Sequence, residues 1–121
     1  MKYKFVTSDT IQVGSRTLTR IQALVDTIPG VRIGDLGGYL EKESNLSQGN
    51  DLSWVYGDAR VSGDARVSGD AWVSGDAWVF DNARVSGDAR VYGDAWVYGD
   101  AWVYGNSRTF NNARVFGNAP V

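Results

Sequence analysis

The side chains of this chain that could do chemistry come in sixes. Carboxylates stand at Asp58, Asp64, Asp70 and Asp76, and two residues after each comes a guanidinium or an indole: Arg60, Arg66, Trp72 and Trp78. Neither histidine nor cysteine occurs in the 121 residues. The commonest general base, the commonest metal ligand and every thiolate nucleophile are therefore missing. There is no GxSxG elbow and no Walker-type phosphate loop. The run Gly34-Asp35-Leu36-Gly37-Gly38 lacks the strand-to-helix setting of a phosphate cradle and reads as a bend. No carboxylate pair stands apart from the repetitive ones, so we expect no enzyme and no cofactor. Stacked Asp can bind cations, but calcium wants six or more oxygens. An Arg two residues on, as in Asp58 and Arg60, neutralises a carboxylate more simply, so these Asp are expected to serve as turn residues and not as metal ligands. The chemistry that remains is non-covalent. Indoles and guanidinia stack on planar rings, and guanidinium forks hold phosphate.

The elements that must position these groups follow from one six-residue phrase, read at Ala65-Arg66-Val67-Ser68-Gly69-Asp70 and again at Ala71-Trp72-Val73-Ser74-Gly75-Asp76. Its core position recurs at Val55, Val61, Val67, Val73, Val79, Val85, Val91, Val97, Val103, Thr109, Val115 and Val121. An earlier pair, Leu40 and Leu46, keeps the spacing, and three extra residues loop out near Gln48–Leu52 before Val55. Fixed-period self-similarity marks a solenoid. In extended chain, residues two apart share a face. Ala and Val therefore point inward, Arg or Trp and the residue after Val point outward, and Gly-Asp turns the chain.

This pattern resembles the hexapeptide-repeat family of left-handed parallel β-helices over about Gly37–Val121. The resemblance implies a triangular solenoid of eighteen residues per coil, wound left-handed. Enzymes of that family use histidine as base or hold zinc with three histidines, and this chain has none. Residues 1–36 do not follow the repeat and read as a small β-rich cap ahead of a repeat domain at 37–121. Lys2–Val6, Thr10–Val13 and Thr17–Val25 are expected strands, the last two joined across Gly14-Ser15-Arg16. A short helix over Thr17–Val25 is an open alternative. Pro29-Gly30 is a turn. The chain is thus expected to be all-β.

Sorting by eighteens assigns the outward groups to three faces. The first carries Trp54 and Tyr56, Trp72 and Ser74, Arg90 and Tyr92, Arg108 and Phe110. The second carries Arg60 and Ser62, Trp78 and Phe80, Trp96 and Tyr98, Arg114 and Phe116. The third carries Arg66 and Ser68, Arg84 and Ser86, Trp102 and Tyr104, then Pro120. On the second face Trp78, Phe80, Trp96, Tyr98 and Phe116 form a contiguous aromatic sheet edged by Arg60 and Arg114. Such a patch marks a partner surface, and these seven are the expected site, with Trp54, Trp72 and Arg90 as further candidates. Plain ladder stacking along strands is the alternative. Toward the end, Asn106, Asn111, Asn112 and Asn118 replace most of the Asp, and Thr109 replaces Val. With no capping helix after Val121, exposed strand edges invite self-association.

A net charge of −2 argues against bulk attraction to nucleic acid or to a membrane surface. No apolar run approaches the roughly 20 residues that span a bilayer. The start, Met1-Lys2-Tyr3-Lys4-Phe5, is not followed by a hydrophobic signal region, so a cytoplasmic protein is expected. Leu18-Thr19-Arg20-Ile21-Gln22-Ala23-Leu24, Gly34-Asp35-Leu36-Gly37-Gly38-Tyr39-Leu40-Glu41 and Asn45-Leu46-Ser47 resemble the opening of small phage and prophage hexapeptide-repeat proteins. That resemblance implies a setting, the host cytoplasm, and carries over no site residues. The functional expectation is a non-catalytic, self-associating homo-oligomer that captures a host defence component or a nucleotide signal through aromatic and Arg surfaces. The alternative is a structural spacer or assembly module without a small ligand. A nucleic-acid mimic is a third possibility, which the weak acidic field disfavours.

Overall fold

A computed structural model of the chain describes residues 1–117; Asn118, Pro120 and Val121 lie outside them. The chain is an all-β parallel solenoid of about four coils with strands at its N-terminal end forming a cap. The cap comprises β1 (Tyr3–Val13), β2 (Arg16–Ala23) and β3 (Leu36–Leu40). Two-residue strands follow at six-residue spacing, from β4 (Trp54–Val55), β5 (Arg60–Val61) and β6 (Arg66–Val67) to β14 (Arg114–Val115). They form three parallel sheets. One runs β4-β7-β10-β13, one β6-β9-β12, and one β5-β8-β11-β14.

The registers fix the coil at eighteen residues: Arg60 pairs with Trp78, Trp78 with Trp96 and Trp96 with Arg114. In the first coil the step is longer. Leu40 pairs with Val61 and Leu46 with Val67, which places the three extra residues between Leu46 and Val55. The Ala and Val columns are buried from Ala59 to Val103. Each fully buried Val contributes about 1.5–3 kcal/mol by leaving water. The corners are four-residue turns: the Ala65 N–H donates to Ser62 O across Gly63 and Asp64. Gly63 has φ +63, and a Cβ there would come within 3.0 Å of Asp81 O in the next coil. Glycine is needed both for the left-handed backbone and for close coil stacking. Asp81 and Asn111 take that place at φ 59 and 55, a conformation Asp and Asn tolerate best among the non-glycine residues.

The cap departs from the sequence expectation at Leu36, Gly37 and Gly38, expected in a bend and found in β3, and along β1 and β2. β1 is a single strand rather than two, and Thr17–Val25 forms no helix, with β2 ending at Ala23. The break expected between Val6 and Thr10 is a bulge: Phe5 faces Ile21 while Thr10 already faces Thr19. Pairing with β2 keeps the chain extended on both sides of the surplus residues. β3 joins cap to coil, antiparallel to β2 and parallel to β5. Gly37 and Gly38 make that junction possible. A Cβ on Gly38 would lie 2.4 Å from Ala59 O, so the Ala of later repeats cannot stand there. Tyr3, Ile21, Ile28 and Val31 close the core at this end. The cap is pinned by Lys2, whose buried ammonium donates to Asp51 Oδ1 (2.7 Å), Ser53 O and Ser53 Oγ (both 2.8 Å).

Candidate functional site

The second face is the sheet to which the cap is joined, and the cap shapes the site on it. Trp78 and Trp96 meet edge to face at 5.4 Å, and the Arg114 guanidinium lies 4.4 Å over Trp96. Beside them Phe80, Tyr98 and Phe116 form a stacked column, with ring separations of 4.9 and 5.3 Å and interplanar angles of 4° and 14°. Phe80 also lies 4.3 Å from Trp78. The Trp78 indole N–H is anchored on Ser62 Oγ at 3.0 Å. The contiguous aromatic sheet expected from the spacing is therefore formed.

A cleft of about 580 Å³ opens where this sheet meets the cap, lined by Ile11, Arg20, Tyr39, Asp58, Arg60, Asp76, Trp78 and Trp96. A second cavity, of about 390 Å³, lies by the hairpin tip at Val13, Gly14, Ser15 and Arg16, against Ser62, Trp78 and Phe80. Trp78 is common to both, so it is the central residue of the face.

The two arginines of the cleft are not equivalent. Arg20 is saturated. Its Nε donates to Asp9 Oδ2 (2.8 Å), its Nη1 to Gly37 O (2.8 Å), and its Nη2 to Tyr39 Oη (2.6 Å) and Asp58 Oδ1 (3.2 Å). Burial works against its charge, but the hydrogen bonds with Asp58, Asp9 and Tyr39 outweigh burial and raise its pKa. Asp9 lies in the stretch of β1 between Phe5 and Thr10 where the register with β2 shifts. Arg60, in the same cleft, has no ion pair and no side-chain hydrogen bond among the described residues. Half-buried, it shares the cleft with the indoles of Trp78 and Trp96 and the carboxylates of Asp58 and Asp76.

The other expected site residues divide clearly. Arg114 folds its Nη1 back onto the carbonyls of Asp94, Asn112 and Ala113, so it serves as packing over Trp96. Arg90 does the same on Asp70, Asp88 and Ala89 while covering Trp72 at 4.0 Å. Phe116 is 58 % exposed at the far end. Trp54 corrects the sequence reading. Expected on an outward face, it is 1 % exposed, because the cap packs Tyr3 across it with ring centroids 6.3 Å apart. Ile11, Arg20 and Tyr39 were not foreseen as lining residues. They lie outside the six-residue register, and no spacing signal links them to Trp78. Among the described residues no group of three or more Asp or Glu is placed to hold a metal ion, and no helix is long and apolar enough to cross a membrane.

A family model described as the YdcK β-solenoid repeat matches six overlapping stretches, residues 55–68, 59–75, 65–81, 77–93, 83–99 and 89–105. The chain is a β-solenoid repeat protein. The matched stretches together span residues 55–105 and leave unmatched the cap, most of the first coil and the last strands, β13 (Arg108–Thr109) and β14. No curated protein matches the chain.

Proposed function

We propose that this solenoid repeat protein is a non-catalytic binding protein that captures a nucleotide-type ligand, a planar ring carrying an anionic group, in the cleft between cap and second face. Support comes from one observation: the unpaired Arg60 guanidinium shares a cleft with Trp78 and Trp96 while the neighbouring Arg20 is fully engaged. A ring stacks on indole and an oxyanion takes the guanidinium fork. The lack of histidine and cysteine supports a binding rather than a catalytic role. A nucleotide signal or a host defence component is the proposed cargo, in keeping with the similarity of Leu18–Leu24 and Gly34–Glu41 to phage and prophage hexapeptide-repeat proteins. The left-handed winding and a cytoplasmic setting belong to the same proposal. Self-association is proposed through the aromatics that remain exposed in the later coils of the first two faces, Tyr92, Phe110 and Phe116.

A second reading is favoured by the parallel stacking of Phe80, Tyr98 and Phe116, which stabilises strands without any ligand. On that reading the molecule is a rigid spacer. Thermal unfolding with millimolar adenine nucleotides and cyclic nucleotides separates the two. Capture raises the melting temperature with ligand concentration, and Arg60→Gln abolishes the rise. No shift with any nucleotide, together with an oligomer that does not depend on concentration by light scattering, overturns capture in favour of the spacer.

A further inference from the structure

The third face carries a separate feature that the cleft does not use. Arg66 and Arg84 occupy directly paired positions on neighbouring strands. Strand spacing puts their backbones about 4.8 Å apart. Both side chains are exposed. The other coil arginines show how this fold neutralises a guanidinium. Arg90, Arg108 and Arg114 each turn Nη1 onto three main-chain carbonyls at the corner. Arg66 and Arg84 do not: among the described residues neither makes a side-chain hydrogen bond or an ion pair within 4 Å.

The corner groups that precede these two arginines are engaged elsewhere. Asp64, two residues before Arg66, is held by the Lys42 ammonium at 2.8 Å. The residue two before Arg84 is Asn82, and its amide donates to Asp100 Oδ1 at 3.2 Å. Two like charges facing each other across a parallel pair repel, and among the described residues neither guanidinium has a carboxylate within ion-pair distance. A groove of about 390 Å³ is lined by these two arginines, by Ser68 and Ser86, and by Trp102. The Ser86 hydroxyl already accepts the Trp102 indole N–H at 3.0 Å, which leaves its own proton to donate. The groove thus offers two guanidinium forks, two hydroxyls and an indole wall.

We propose that this groove is an anion site for two linked phosphoryl groups, with Arg66 and Arg84 each taking one of them. Adjacent forks on adjacent strands suit adjacent phosphoryl groups, and guanidinium binds phosphate in bidentate fashion. The site is distinct from the Arg60 cleft and does not depend on it.

Isothermal titration calorimetry with inorganic pyrophosphate, and with inorganic phosphate for comparison, tests the assignment at low salt. Pyrophosphate binds at least tenfold tighter than phosphate. Arg66→Gln and Arg84→Gln each weaken it at least tenfold, whereas Lys4→Gln, which removes one exposed positive charge from the cap, leaves it unchanged. Arg84→Lys keeps the charge but loses the fork, and is also expected to weaken binding. A readout without ligand accompanies these: Arg84→Gln raises the melting temperature of the free protein by relieving the repulsion. The assignment is overturned if pyrophosphate does not bind, if phosphate binds equally well, if Lys4→Gln has the same effect as Arg84→Gln, or if Arg84→Gln lowers the melting temperature of the free protein.

Discussion

Two tryptophans of identical position within the repeat are expected to respond unequally to the same substitution. In this solenoid the acceptor for an outward indole N–H is the hydroxyl sixteen residues earlier: Trp78 donates to Ser62 and Trp102 to Ser86, both at 3.0 Å. For Trp72 that place is Tyr56, whose hydroxyl is turned away and donates to Pro29 O at 2.8 Å. The Trp72 Nε1 is consequently buried without a partner. An unsatisfied buried donor costs about 1–3 kcal/mol. Trp72→Phe removes that cost, at the expense of some ring area and part of the cation–π contact with Arg90, worth roughly 0.5–1 kcal/mol. The variant should lie within about 1 kcal/mol of the parent. Trp78→Phe loses a made hydrogen bond and leaves the Ser62 hydroxyl, 1 % exposed, without its donor. That costs about 1–3 kcal/mol before any lost ring area is counted. Urea unfolding followed by far-ultraviolet circular dichroism should separate the two variants by about 2 kcal/mol, with Trp72→Phe the more stable. Equal destabilisation, or the reverse order, refutes the hydrogen-bond reasoning.

Further expectations concern the cap and the corners. Lys2→Met strips Asp51 and Ser53 of their buried cation and should destabilise by about 2–4 kcal/mol in the same assay. Its loss should be felt first in proteolysis of the N-terminal residues. Acid should act through the same region. Burial opposes the charge of Asp51 and of Glu41, but Lys2 and Ser53 at the first, and the Gly63 N–H and Arg16 at the second, more than offset it, so both carboxyls are held below the usual range. Groups with depressed folded values stabilise fully above the unfolded carboxylate pKa, about 4, and lose that contribution as pH falls through the folded values. A melting temperature that is flat across pH 3–7 would contradict this. Gly69→Ala forces a left-handed backbone and a Cβ 3.0 Å from Gly87 N. It should cost at least about 2 kcal/mol by urea unfolding, and a neutral result would show that the corner can relax.

How much was legible from sequence depended on whether a residue obeys the period. The placement of Arg60, Trp78, Trp96 and Arg114 in one row follows from counting eighteens, because every neighbour in the coils is also a repeat. The same counting misplaced Trp54, since what covers it is Tyr3 of the cap and not another coil. It also set Arg60 and Arg114 on an equal footing at the edge of the aromatic sheet. Which guanidinia turn onto carbonyls and which stay open is settled by rotamers and by the groups at each corner, such as Lys42 against Asp64. Those contacts depend on one residue at a time and leave no periodic trace.

By itself the sequence determined the buried Ala and Val columns and the glycine corners, because alternation at a six-residue period turns the same positions inward and to the corner in every repeat; the eighteen-residue coil, and with it the membership of each face, rested on the resemblance to hexapeptide-repeat β-helices. Only the tertiary structure decided where the cap sits. Its seat depends on single contacts between distant residues, Lys2 on Asp51, Tyr3 Oη on the carbonyls of Glu43 and Leu46, and Arg20 on Asp58. Those contacts turn a flat aromatic face into a cleft with one unpaired guanidinium.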